Sequence, residues 1–290
     1  MKNLSSYLLV TIIALSLLWG GMAVNAQDNQ VKDMTIGVSI PAATHGWTGG
    51  VNFWAEKTVN RLDKKHENID FVLTTAEGPE EQVNDLEDLR AIHKIDALVI
   101  LPFESDPLTD PVRYIKQQGI FVTVVDRGLS EEGIEDIYVA GNNPAMGRVS
   151  AEYMIDKLNG EGKIVVLRGI PSKIDKQRFN AFMDQVKKTD IEVLDWEYAN
   201  WNRDDGFKVM QDFLSRFDEI DAVWSQDDDI SLGVIEAIKQ AGRTDEMFVV
   251  GGAGMKQIVK RVMNGNELTP VTVSYPPKMI STAIQVTVDH

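Results

Sequence analysis

The feature that most constrains this chain is an alternation: short, β-branched, apolar runs separated by longer stretches whose apolar residues recur at three- and four-residue spacing. The runs are TIGVSI (35–40), FVLTT (71–75), ALVIL (97–101), FVTVV (121–125), DIYVA (136–140), KIVVL (163–167), AVWS (222–225), MFVVG (247–251) and PVTVS (270–274). Most are apolar throughout, as strands covered on both faces must be, so the sheets are expected to be parallel. Stretches such as 81–93, 144–158, 205–217 and 231–241 read as the covering helices. The expected class is α/β, with doubly wound parallel sheets. This is more strand than one compact sheet usually holds, so two lobes are expected. A boundary fits within 126–136, where FVTVVDRG runs into the charged, glycine-containing LSEEGIED.

The first 26 residues stand apart. Lys2 is their only charge, 8–18 is apolar, and Val24-Asn25-Ala26 has the small-residue spacing of a cleavage site. We read a secretory signal peptide cleaved after Ala26, and the apolar run is shorter than the ~20 residues a bilayer needs. The chain contains no cysteine, which excludes a lipid-anchored lipoprotein, a disulfide and a thiolate metal site. A periplasmic location and a soluble mature protein are expected. The formal charge of -15 argues against a nucleic-acid partner, whose phosphates require a basic surface. At the other end, IQVTVDH falls midway through a helix expected after Pro277, with no closing strand, so a further C-terminal tail is expected.

Ligands of doubly wound sheets bind beyond the carboxyl ends of the strands. ATHGWT follows the strand at 35–40, and ANWNRDD follows a strand containing Trp196, which puts Trp47 and Trp201 in polar loop surroundings. Indole rings in such surroundings are free to face a ligand instead of a core. Trp54, Trp196 and Trp224 read as packing. Gly251 to Gly254 do not complete GxGxxG, so a hinge is the better reading than a phosphate cradle. Asp227, Asp228 and Asp229 invite a cation, but the four histidines show no ligand spacing, and Asp229 is expected to cap the following helix. GxSxG, HExxH and a cysteine nucleophile are all missing. Neither catalytic residues, a metal nor a cofactor are expected.

The leader, the βα alternation, VVDRG at a strand end, NNPAMGRVSAEYM opening a helix, an Arg178-containing helix after LRGIPS, and VWSQDDDISLGVIEAI together resemble the periplasmic sugar-binding proteins of the ribose-binding type. These are the type I "Venus flytrap" receptors of ABC importers. The resemblance runs from about Thr35 to the end. It implies two α/β lobes, 33–129 with 252–275 and 130–251 with 276–290, joined by crossings near 127–136, 251–255 and 274–277. It implies a sugar held by His45, Trp47, Thr48, Asp126, Arg127, Asn142, Arg178, Trp201, Asp227, Ser274 and Tyr275, with Asn143 beside Asn142. Two departures matter: Ala253 stands where the family has a sugar-binding aspartate, and Ser274 stands where it commonly has glutamine. Ribose itself is therefore doubtful, and the implied ligand is a monosaccharide or polyol. The implied partner is a membrane permease, with a chemoreceptor or sensor kinase as the other reader of the closed shape, and the protein is expected to be a monomer. The enzyme-class alternative is an exported sugar-processing enzyme.

Overall fold

Among the described residues, ten strands form two sheets of five, and every pairing within them is parallel. The computed structural model describes residues 33–290; the expected leader lies outside them. In the first sheet, β1 (Met34–Pro41), β2 (Ile69–Ala76), β3 (Ala97–Ile100), β4 (Phe121–Val125) and β5 (Ile137–Val139) are ordered β2-β1-β3-β4-β5. In the second, β6 (Glu161–Arg168), β7 (Asp190–Tyr198), β8 (Ala222–Ser225), β9 (Phe248–Ala253) and β10 (Val271–Ser274) are ordered β10-β9-β8-β6-β7. Read from its other edge, the second order repeats the first. Each lobe therefore reverses strand order at one place, between β1 and β3 and between β6 and β8, and open α/β sheets form their ligand crevice at such points.

The helices are α1 (Gly46–Asp63), α2 (Pro79–Ala91), α3 (Ser105–Gln117), α4 (Asn143–Lys157), α5 (Lys173–Val186), α6 (Arg203–Arg216), α7 (Asp228–Gln240), α8 (Lys256–Met263) and α9 (Met279–Asp289). They cover both faces of each sheet, which is why the central strands are apolar throughout: all of β3 and β8 is buried. One core face of the second lobe is anchored by Phe182 of α5 stacked on Trp224 of β8, with ring centroids 3.9 Å apart and planes within 9°. Trp54 and Trp196 are packing residues too, at the surface, beneath Lys57 and Lys278 and against Arg168 respectively. None of the helices among the described residues is long and apolar enough to cross a membrane.

The lobe boundaries differ from the expected division. The segment 127–136 is a loop within the first lobe that feeds β5, an edge strand paired with β4. Likewise 251–255 stays in the second lobe, where Gly251 to Ala253 finish β9 beside β10. Gly252 is glycine for space: a Cβ there would meet the Gln226 carbonyl oxygen at 2.7 Å and Met146 at 2.6 Å. Residues 252–274 therefore belong with the second sheet, and α9 packs on α1, β4 and β5 of the first. The crossings among the described residues are 140–142 and 275–278.

Helices α4 and α5 pack closely because Gly147 lets them meet. A Cβ there would drive into the carbonyl oxygen of Arg178 and approach the backbone nitrogen of Phe182 at 3.1 Å. Gly147→Ala is expected to destabilise the protein by about 1–3 kcal/mol, since backbone cannot yield as a flexible side chain does. Urea unfolding of the variant checks this.

Candidate functional site

A small cavity lies between the lobes, at the carboxyl ends of strands from both sheets. The first lobe lines it with His45 and Trp47 after β1, and with Asp126 and Arg127 after β4. The second lobe supplies Ile174 and Arg178 from α5, Trp201 after β7, Asp227 after β8, and Ala253 at the end of β9. Tyr275 enters from the second crossing.

Trp47 and Trp201 face this same cavity from opposite lobes, though Trp47 reaches it differently from the expected turn. Helix α1 begins at Gly46, so Trp47 lies in its first turn, nearly buried, with Nε1 donating to the Tyr275 carbonyl at 2.9 Å. Gly46 and Gly50 make that early start possible, because Met255 and Pro277 press where their side chains would be, each 2.6 Å from an added Cβ. Trp201 sits in left-handed backbone, φ 51°, with its indole filling the space beside Gly169. Asp126 (φ 59°) and Ala253 (φ 81°) share that conformation. Three of the six non-glycine residues with positive φ among those described thus line one cavity. Such backbone costs of order 1–3 kcal/mol each and collects at functional sites.

The polar groups are deeply buried and incompletely bonded. Burial pushes the Asp126 carboxyl upward, while the Arg178 charge, the Tyr275 hydrogen bond and the Arg127 charge pull it back. Arg127 donates to the carbonyls of Phe103 and Pro102, lies 5.3 Å from the Trp201 ring centroid, and leaves its buried Nε without a partner. Arg178 donates from Nε to Asn143 Oδ1 at 2.8 Å and stacks on the Tyr275 ring at 4.5 Å. His45 precedes α1 with both ring nitrogens buried and unbonded; burial, aided by the Arg127 charge, holds its pKa down to about 4, so the ring is neutral. A neutral imidazole with a free donor and a free acceptor suits a hydroxyl.

Three sequence-expected residues are not brought to the cavity. Thr48 is fully buried, and its hydroxyl accepts from His45 N–H and donates to His45 C=O at the start of α1. Asn142 is exposed and caps α4, accepting from Ala145 N–H at 2.9 Å; its neighbour Asn143 is the buried one, bonded to Arg178 and Tyr275. Ser274 ends β10 exposed, and the alternation of an extended chain turns Tyr275 inward instead. Ile174, which the sequence reading missed, carries only a weak signal, as one apolar residue in the first turn of α5.

The three aspartates opening α7 divide their work. Asp227, expected to bind ligand, is also the cap assigned from sequence to Asp229: its Oδ1 accepts from Asp229 N–H at 2.7 Å, because α7 starts at Asp228, three residues earlier than its apolar pattern. Asp228 accepts from Met255 N–H at 2.6 Å and Thr272 Oγ1 at 3.0 Å, fixing the loop after β9. Asp229 reaches across the cleft to Gly46 N–H at 2.7 Å. Opposite, Lys173 and Glu132 form an exposed cross-lobe ion pair at 2.8 Å. His45, Asp227 and Asp229 bring ligand-type atoms within 4.8 Å of one another. The nearby Arg127 charge and the Gly46 N–H already bonded to Asp229 make this a poor cation trap.

Residues 36–290 match the periplasmic binding protein domain family. The ribose import binding protein of Bacillus subtilis is 26% identical over 249 residues, which span 86% of this chain and 78% of that protein. A xylitol-binding protein of Mycolicibacterium smegmatis is 31% identical over 205 residues, 70% of this chain and 58% of that protein. Among solved structures, the fructose-binding periplasmic domain of a hybrid two-component system superposes with a TM-score of 0.80 at 27% identity, covering 88% of this chain and 84% of that one. The two five-stranded lobes have the architecture of type I periplasmic binding proteins.

Burial raises Asp227 to about 8 and Asp228 to about 7, both above the ordinary carboxyl value they regain on unfolding. Groups raised in this way lose folded-state advantage as pH climbs through the folded values. The melting temperature is therefore expected to rise by a few degrees from about pH 8 to about pH 6, and by less in Asp227→Asn, in scanning calorimetry at fixed ionic strength.

Proposed function

The chain belongs to the periplasmic binding protein domain family, and from that footing we propose that it captures a monosaccharide or polyol between its lobes and delivers it unaltered to an ABC-importer permease. The observation that carries this reading is the pair of indoles, Trp47 and Trp201, facing one cavity from opposite lobes with Arg127, Arg178, Asp126 and Asp227 around it. The rings cover the C–H faces of a small ring. The guanidiniums, the carboxyls and His45 serve its hydroxyls, and Tyr275 closes one end. Relatives named for ribose and xylitol binding support this ligand class. Export to the periplasm follows from the leader expected over 1–26 and agrees with the family's description.

The mechanism is hinge bending about 140–142 and 275–278. Ligand settles first on one lobe, and closure brings the other lobe's groups onto it, so contacts made only in the closed form drive the motion. The cross-lobe bonds from Asp229 to Gly46 and between Lys173 and Glu132 add to closure without touching the ligand. A second reading, delivery of the closed form to a sensor kinase or chemoreceptor, is favoured by the similarity to the fructose-binding domain of a two-component system. Pull-down of the ligand-loaded protein against each membrane partner separates the two.

A thermal-shift panel of D-ribose, D-fructose and xylitol tests the ligand class, because a molecule that binds only the folded state raises the melting temperature. Recovery of unchanged ligand excludes turnover, and an altered product would make the protein a sugar-processing enzyme instead. Trp47→Ala is expected to weaken binding by about 2 kcal/mol, roughly thirtyfold in Kd by titration calorimetry. Unaltered affinity would return Trp47 to a packing role.

A further inference from the structure

Tyr275 has more bonds than a ligand contact needs. It stands at the start of the second crossing, 4% exposed, and its hydroxyl joins three separate elements. It accepts from Gly141 N–H in the first crossing at 3.2 Å and from Asn143 Nδ2 at the start of α4 at 3.1 Å. It donates to Asp126 Oδ1 after β4 at 2.5 Å. Its ring supports the Arg178 guanidinium at 4.5 Å, and its carbonyl accepts from Trp47 Nε1. The first crossing is shaped to receive it: a Cβ on Gly141 would drive into the ring, whose Cζ would lie 2.7 Å away.

From this geometry we infer that Tyr275 is a positioning residue that holds Asp126 as a one-oxygen acceptor and fastens the ligand cavity to both crossings through its fit against Gly141. The inference rests on the cavity reading above and deepens it. With one Oδ1 lone pair held by the phenol, Asp126 keeps Oδ2 as its unengaged oxygen toward a ligand. It therefore favours a hydroxyl at Oδ2 over the even bracketing of a vicinal pair by a free carboxylate. Because the same hydroxyl touches 141 and 143, any movement of the crossings alters the acceptor.

Asp126 is faced by Arg178 from α5, by its neighbour Arg127, and by Tyr275; Tyr138 of β5 donates to its main-chain carbonyl, and Asn143 is neutral. Among the described residues the phenol is the only side-chain hydrogen-bond donor to the Asp126 carboxylate, and deleting it raises the carboxyl further. Tyr275 itself is pushed above its usual value by burial and stays protonated throughout the range tested.

Tyr275→Phe keeps the ring and removes only the hydroxyl, and the test has two arms. Without any ligand, the melting temperatures of wild type and Tyr275→Phe are compared from about pH 5 to about pH 9. The folded-state value of Asp126 lies above its unfolded one, so its contribution is lost as pH rises, and more is lost in the variant. The gap between the two proteins is therefore expected to widen with pH; a gap constant with pH overturns the inference. In the second arm, affinity for whichever of D-ribose, D-fructose or xylitol wild type holds most tightly is expected to fall at least about tenfold in Tyr275→Phe, and the size of the loss to vary with pH, because removing the donor moves the Asp126 carboxyl further up. An equal loss at every pH, or none, overturns it. Gly141→Ala, with Tyr275 present, is expected to reproduce both effects by displacing the ring, and wild-type behaviour there overturns the link to the first crossing. Should none of the three sugars bind wild type, the ligand class fails while the ligand-free arm still decides the role of Tyr275.

Discussion

Everything around the cleft depends on one buried carboxylate. Asp126 is almost wholly removed from water, in left-handed backbone, at the end of a central strand. Transferring an ionised carboxyl to such a place costs several kcal/mol unless charges and donors compensate it. The fold supplies them from four directions: Arg178 from the second lobe, Arg127 from the same turn, Tyr275 from a crossing, and Asn143 through Arg178 and Tyr275. Each of these is itself buried, so the group is stable only when all are in place. A cluster of this kind makes a poor stabiliser and a sharp selector. It fits a molecule that bonds its remaining atoms and leaves anything else facing unsatisfied charge.

The repeated topology explains why the cluster can be split between two lobes. Both sheets reverse strand order one strand from an edge, so both present their loops and helix starts toward the same gap. The first lobe contributes an indole, an imidazole and the Asp126-Arg127 pair; the second contributes an indole, Arg178 and Asp227. Neither half is a complete site. The left-handed residues Asp126, Trp201 and Ala253 serve the same end, since each turns the chain sharply where a strand would otherwise carry it away from the gap.

Much of this was legible in the residues. Continuous apolar runs located nine of the ten strands and implied parallel pairing, because burial on both faces leaves a local mark in the sequence. The strand outside those runs, β7, is an edge strand whose charged residues, Asp190, Glu192, Asp195 and Glu197, interrupt any apolar run. The lobe to which 252–290 belongs was not legible, since β10 and α9 choose their neighbours through long-range packing that no local pattern encodes. The start of α1 was misread as a turn for a related reason. Gly46, Gly49 and Gly50 weaken helix propensity, yet the contacts that exclude side chains at 46 and 50 come from Asp229, Met255 and Pro277, far along the chain. Adjacent positions were the hardest to separate. Asn142 and Asn143, or Ser274 and Tyr275, are polar neighbours in sequence, and backbone direction decides which of each pair turns inward.

The run Asp227, Asp228, Asp229 shows how far chemistry and placement come apart. Asp227 is extended at the cap, while Asp228 and Asp229 begin the helical turn, so the three side chains leave the backbone in different directions and take different partners. One caps its own helix and borders the cavity, the next fixes the loop after β9, and the third bonds the other lobe. The positive end of α7 favours all three as carboxylates, but burial outweighs it and raises each of them, most strongly at the innermost, Asp227. A proton held at Asp227 lets that side chain donate to a ligand oxygen where the ionised form could only accept. The helix cap that borders the cavity is thus also the carboxyl of the three that burial raises most.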